Sequence, residues 1–204
     1  MNLTIIAPLA ACVAATMLNS CANPINARTA QTYYEYGVQA ERAGDVALAR
    51  RNFSRAYGNA QMGSLGPAAE ASYLYEYARV TGYAGEYEES QKAFLDVLGL
   101  IEKAKGAADR LRAPALAEYS RLLHDTGQHG KAVPIYEEAV VALERVGIQS
   151  SDPLGYAALL DEYAESLRLA GLAEKAAEIA ARSEALKAAH PNERPHFQAR
   201  RYKA

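Results

Sequence analysis

From residue 33 onward, apolar and small side chains return every three or four positions. Tyr33, Tyr36, Gly37 and Ala40 fall at i, i+3, i+4 and i+7, the stripe of a helix that buries one face. Ala43-Gly44-Asp45 interrupts that stripe. Glycine ends a helix in the left-handed conformation, and an aspartate carboxylate caps the next one. Ala49, Phe53 and Ala56 then resume at helical spacing. The predicted unit is helix, tight turn, helix, and such a unit buries its apolar face only against neighbours of its own kind.

Copies of the unit follow. Glu35-Tyr36-Gly37, Glu76-Tyr77-Ala78, Glu118-Tyr119-Ser120 and Glu162-Tyr163-Ala164 repeat one word, at successive offsets of 41, 42 and 44 residues. Eight residues past each tyrosine stands a glycine: Gly44, Gly85, Gly127 and Gly171. A near-constant period in this range marks an array of supersecondary units. The spacing predicts an all-α chain with repeats at about 30–63, 71–104, 113–146 and 157–190, the repeat domain spanning 30–190. Between repeats, 58–67 is glycine-rich, Pro67 suits the first turn of a helix, and Gly106 separates the second unit from the third. Ser151-Asp152-Pro153 is an N-cap followed by proline at the first helical position, and Pro134 is placed near the start of its helix. The tail 191–204 carries two prolines and four basic residues and is expected to be irregular and mobile.

At these positions the chain resembles the tetratricopeptide repeat (TPR) family. That pattern runs aromatic, large apolar then small, apolar, glycine, alanine, aromatic, alanine. Tyr33, Tyr36-Gly37, Ala40, Gly44, Ala49, Phe53 and Ala56 fill it in the first repeat, and Leu74, Tyr77-Ala78, Thr81, Gly85, Ser90, Phe94 and Val97 in the second. The third has Leu116, Tyr119-Ser120, Leu123, Gly127, Ala132, Tyr136 and Ala139. The fourth has Leu160, Tyr163-Ala164, Leu167, Gly171, Ala176, Ala180 and Ser183. The period exceeds the usual 34 residues, which resembles the long repeats of the kinesin light chain. The resemblance implies a right-handed α-solenoid. Ala180 stands where an aromatic is expected, so the helix at 173–189 reads as the terminal cap.

The chain before the repeats is of another kind. No charged side chain precedes Arg28, and residues 3–18 are mostly apolar, short for a membrane span and suited to the core of a secretory signal. Leu18-Asn19-Ser20-Cys21 resembles a bacterial lipobox, so 1–20 is expected to be a lipoprotein signal peptide, Cys21 the lipidated residue, and 21–29 a tether. Met1-Asn2 lacks the lysine or arginine usual ahead of such a core. Two other readings stay open. Ser20-Cys21-Ala22 also fits ordinary signal peptidase, which gives a soluble periplasmic or secreted protein, and an uncleaved anchor is the third. Two or more acyl chains hold a protein stably on a bilayer. Ala22 after the cysteine points to the outer membrane by analogy with bacterial lipoproteins.

With 22 basic and 24 acidic residues the net charge is about −2, which supplies no basic face for nucleic acid. The only cysteines, Cys12 and Cys21, lie near the N-terminus, so no disulfide framework holds the body. His124 and His129 flank the Gly127 turn without a carboxylate or thiol at ligand spacing and read as solvated turn residues rather than metal ligands. Glu88-Glu89 and Glu137-Glu138 read as solvated faces. No nucleophile motif and no phosphate-cradling glycine loop is present. The expectation is a protein without catalytic residues, metal or cofactor.

The groove is the remaining candidate. In the family the first helix of each repeat lines the concave surface, and the residue two past the large apolar position points into it. The resemblance puts Val38, Arg79, Arg121 and Glu165 there, with Tyr34, Tyr75, Tyr83, His124, Asp125, Asp161 and Arg168 adjoining. Tyrosine and arginine often carry binding energy at interfaces. Arg79 and Arg121 are expected to receive an acidic or carboxylate-ending segment of another protein. The lysines and asparagines of the chaperone-tail clamp are absent. Tyr36, Tyr77, Tyr119 and Tyr163 are expected in the core. For Tyr75 and Tyr83, core packing and binding surface both stay open. The functions implied are a lipid-anchored adaptor in the bacterial envelope, or a soluble exported protein that holds a peptide or small ligand in its groove.

Overall fold

The structure, a computed structural model, describes residues 23–196 and 199–202. The expected signal peptide and Cys21 lie outside them. Nine helices are found among the described residues: α1 (Pro24–Arg42), α2 (Val46–Met62), α3 (Pro67–Tyr83), α4 (Tyr87–Lys103), α5 (Asp109–Asp125), α6 (His129–Arg145), α7 (Ile148–Ser151), α8 (Pro153–Leu169) and α9 (Ala173–Ala189). They pack as consecutive antiparallel pairs, α1 on α2, α3 on α4, α5 on α6 and α8 on α9. The second helix of each pair packs on the first helix of the next, which makes an α-solenoid of four helix-turn-helix repeats.

The four turns are built alike. Gly44, Gly85, Gly127 and Gly171 all have φ between +75° and +85°. That left-handed conformation suits glycine, which has no Cβ to clash. The glycine amide donates three residues back and the next amide five residues back, as in Asp45 N–H to the Ala40 carbonyl at 2.9 Å and Gln128 N–H to the Leu123 carbonyl at 2.8 Å. This is the Schellman closure, which satisfies carbonyls otherwise orphaned at a helix end.

The same construction explains the uneven period. Apart from α1 and the one-turn α7, every helix has 17 residues, and the turn inside each pair has three. The connections between pairs are 63–66, 104–108 and 146–152, and their lengthening accounts for the growth of the offset. α7 is part of the longest connection. Asp152 caps α8 through its carboxylate, accepting from Gly155 N–H at 3.0 Å, with Pro153 at the first helical position.

One apolar core runs from Ala71 on α3 through Phe94, Leu123, Tyr136 and Tyr163 to Ile179 on α9, and a smaller one gathers Ala40, Ala49, Phe53 and Val80. Small residues permit the close approach. A Cβ on Gly37 would stand 2.7 Å from the Phe53 ring.

Four features depart from the sequence reading. The helix expected after a tether at 21–29 already begins at Pro24, because Asn23 caps it through its side chain and proline suits its first turn. Tyr36 is 52% exposed, whereas Tyr119 and Tyr163 are buried. Among the described residues no helix precedes α1 to cover that face. Pro134 lies inside α6, past the first turn. Residues 199–202 are irregular, as a proline-bearing tail should be, but they lie packed against the repeats, with Tyr202 only 4% exposed.

Candidate peptide-binding groove

α3, α5 and α8 touch in succession and form the inner face of the array. Glu76, Glu118 and Glu162 of the repeated word stand on these helices, and after the first two an arginine follows three residues later. Spacing of three places both on one side of a helix. Arg79 is held by Glu76 at 2.7 Å and by both oxygens of Glu41 on α1 at 2.8 Å. Arg121 is held by Glu118 at 3.0 Å and by Glu162 on α8 at 3.1 Å, and is 6% exposed. Each arginine thus bridges two repeats. Surrounding carboxylates push both guanidinium pKa values up, against the opposing effect of burial. Burial pushes the Glu76 carboxyl up, and Arg79 counters it.

This geometry revises the expected acid-binding pair. Arg79 and Arg121 already have two carboxylates each, so an acidic segment would have to displace internal partners. The chemistry presented to an incoming chain is the reverse, a row of carboxylates and tyrosines.

The tail uses that chemistry. Arg201 donates from Nη2 to the Asp125 carboxylate and from Nη1 to Glu162 Oε1, the latter at 2.6 Å. Tyr202 donates its N–H to Asp125 Oδ2 at 2.9 Å and its hydroxyl to Glu118 Oε2 at 2.5 Å. The Tyr202 carbonyl accepts from the Tyr87 hydroxyl at 3.1 Å. Its ring stacks on Tyr83 with centroids 4.7 Å apart, and the Arg200 guanidinium lies 4.7 Å from the Tyr83 ring centroid. The ring fits because position 82 is glycine. A Cβ there would come within 2.6 Å of it. Upstream, His196 N–H donates to Asp152 Oδ1 at 3.0 Å. Burial and Glu118 raise the Tyr83 phenol to about 12 and the Tyr202 phenol well above its usual value.

The predicted groove residues divide into groups. Tyr75, Arg79, Tyr83, Arg121 and His124 lie on α3 and α5 around the tail. Tyr75 is packed edge-on to Phe94 at 6.4 Å, and with Glu118 and Arg121 it lines a hollow of about 550 Å³ beneath α5 and α8. His124 Nδ1 lies 2.8 Å from Ser166 Oγ, and its ring centroid is 5.3 Å from that of His129. Burial pushes the His124 pKa down. Tyr34 is further along on α1, where it packs against Phe53 and Tyr73, both at 5.8 Å, and Val38 packs on the Phe53 cluster. Arg168 is exposed at the end of α8 and pairs with Glu165 at 2.5 Å. Among the described residues no three histidine, cysteine or acidic side chains converge as a metal site.

Sequence reasoning missed Glu41, Glu76, Glu118 and Glu162 as groove residues, and missed Gly82, Tyr87 and the tail. A signal was present for the glutamates: Glu76-Tyr77-Ala78-Arg79 and Glu118-Tyr119-Ser120-Arg121 put opposite charges at i, i+3. Nothing local marks Gly82.

This architecture is a tetratricopeptide-type α-solenoid. It is similar to a crystal structure of nearly identical TPR-like repeats of kinesin-light-chain type from Podosopora anserina, with a TM-score of 0.62, 19% identity, and 80% of this chain and 77% of that chain covered. It is also similar to BtubC (BKLC) from P. vanneervenii, with a TM-score of 0.69, 14% identity, and 84% and 68% covered. At such identity the likeness establishes the fold alone. No family model matches the sequence, and no curated protein matches it.

Proposed function

We propose that the chain is an interaction scaffold that holds an extended segment of another protein across α3, α5 and α8. In this reading a lipid on Cys21 tethers it to a bacterial membrane, with the outer membrane, periplasmic side, favoured. The role is a binding one, in envelope assembly, secretion or peptidoglycan remodelling. One observation carries the groove reading: a non-helical segment, the chain's own 199–202, is held there through backbone as well as side-chain groups. The TPR-type fold supports it, since stacked repeats create extended concave surfaces used for binding. The tether reading rests on Leu18-Asn19-Ser20-Cys21.

Two experiments test these parts. A photo-crosslinking residue at Tyr34, on the first helix of its repeat, should capture protein partners in the native envelope. The same residue at exposed Val141 on α6 should not, and equal capture at both would sink the groove reading. Cys21→Ala should remove the acyl mass and release the protein from membranes. An unchanged mass and fractionation would instead support the soluble exported protein.

A further inference from the structure

Arg201 and Tyr202 enter two adjacent holes of different construction. The first is walled by Asp125 and Glu162, whose oxygens take separate nitrogens of the guanidinium. An arginine fork suits two separated carboxylates in a way that the point charge of lysine does not. Asp125 has a side-chain exposure of only 2%, and a buried carboxylate needs a cation. The second hole is aromatic and closed by a carboxylate: Gly82 gives depth, Tyr83 gives a stacking face, and Glu118 accepts a hydrogen bond from the phenol. Between the two, Asp125 and Tyr87 take the N–H and carbonyl of one residue, contacts that any extended segment satisfies. Without the tail, Glu118 would keep Arg121 and the Tyr83 hydroxyl, Glu162 would keep Arg121 and the Tyr136 hydroxyl, and Asp125 would lose its contacts to Arg201 and the Tyr202 N–H.

We infer that this slot is a recognition site for an arginine followed by a tyrosine in an extended segment of a partner protein, with Arg201-Tyr202 as its resident occupant in cis. The inference rests on the groove reading and specifies its ligand. The slot draws residues from α3, α4, α5 and α8, so its shape reports the stacking of three repeats. The side chains of Glu118 and Asp125 supply the selectivity, and the backbone contacts supply none. A covalently attached occupant competes at high effective concentration, so the wild-type protein holds its slot closed to weak ligands.

The test compares the full-length protein with full-length Arg201→Glu/Tyr202→Ala, which vacates both holes. The probe is a fluorescein-labelled peptide, Gly-Ser-Ala-Arg-Tyr-Gly-Ser, followed by fluorescence anisotropy. It should bind the double variant at least about tenfold more tightly than wild type, the advantage of removing a tethered competitor. Replacing its arginine or its tyrosine with alanine should cost about tenfold or more, since each removes a charged or buried hydrogen-bonded contact. If circular dichroism shows helix lost in the double variant, the milder Arg201→Gln/Tyr202→Ser serves as the vacated form, with the same ranking of peptides. No binding to a folded vacated form, equal binding to wild type, or indifference to the two replacements would overturn the inference. Absent peptide binding with crosslinking retained at Tyr34 would remove the slot and leave the scaffold. Peptide binding without any captured partner would do the opposite.

Discussion

Arg121 on α5 and Glu162 on α8 are 41 residues apart in sequence, and their Nε and Oε2 atoms lie 3.1 Å apart across the junction of the third and fourth repeats. The same glutamate accepts from the Tyr136 hydroxyl at 3.2 Å and from Arg201 at 2.6 Å. Apolar contacts hold the interior of the stack, and charge registers its inner face.

Breaking this link leaves buried Glu118 without its cation and Glu162 with Arg201 alone. Arg121→Ala should therefore destabilise the protein by roughly 3–5 kcal/mol, the usual cost of removing one partner of a buried pair. Arg168 pairs with Glu165 at the exposed surface, where water screens the charges, and Arg168→Ala should leave stability nearly unchanged. Urea titration followed by circular dichroism compares them, and equal effects would argue against a buried Arg121 network.

Tail docking should be visible to a protease. Arg200 and Arg201 are trypsin sites, and cleavage requires the segment to leave the groove. Tyr202→Ala should raise the initial rate of cleavage there several-fold without altering cleavage at Arg55 on α2. An unchanged rate would mean that Tyr202 does not hold the tail.

The phenols make alkaline stability a sharp readout. Tyr83, with a pKa of about 12, and Tyr75, Tyr136 and Tyr202, all pushed well above the usual 10 by burial, keep their protons in the fold when the unfolded chain would lose them. Above pH 10 the native state binds more protons than the unfolded state, so stability falls as pH rises. Absorbance at 295 nm should show these tyrosines ionising together with loss of helix. Smooth ionisation ahead of unfolding would contradict their burial.

On the acid side His124 acts in the other direction. Its pKa is depressed below the ordinary 6.5, chiefly by burial, while Glu162 and Asp125 oppose and Arg201 and His129 reinforce the shift. The unfolded chain therefore binds the extra proton first. Stability is present in full above about pH 6.5 and is lost as pH falls from there toward the folded pKa. His124→Gln should flatten that part of the pH–stability curve, measured by thermal unfolding between pH 7 and 5.

Local pattern made the helices legible, because period 3.6 and a left-handed glycine leave marks within a dozen residues. The spacing of the four tyrosines likewise reported the stack. Tyr36 was misjudged because burial of its face depends on a preceding repeat, not on its own helix. Arg79 and Arg121 stand on α3 and α5, and their charge balance lies partly with Glu41 and Glu162, some forty residues away. The site for Tyr202 is set by Gly82, Tyr83, Tyr87 and Glu118, which only the folded solenoid brings to the end of the chain.

The connections 63–66, 104–108 and 146–152 lengthen while the groove helices α3, α5 and α8 each keep 17 residues. Contour length and binding geometry are thus separate variables in this protein, and only the first is free to drift. Sequence added at 146–152 should alter the reach of the outer edge and leave the charge register of the inner face untouched. Its cost is the entropy of a longer loop, which grows only with the logarithm of length. Natural variation or a designed graft has one inexpensive place to enter, ahead of the Asp152 cap.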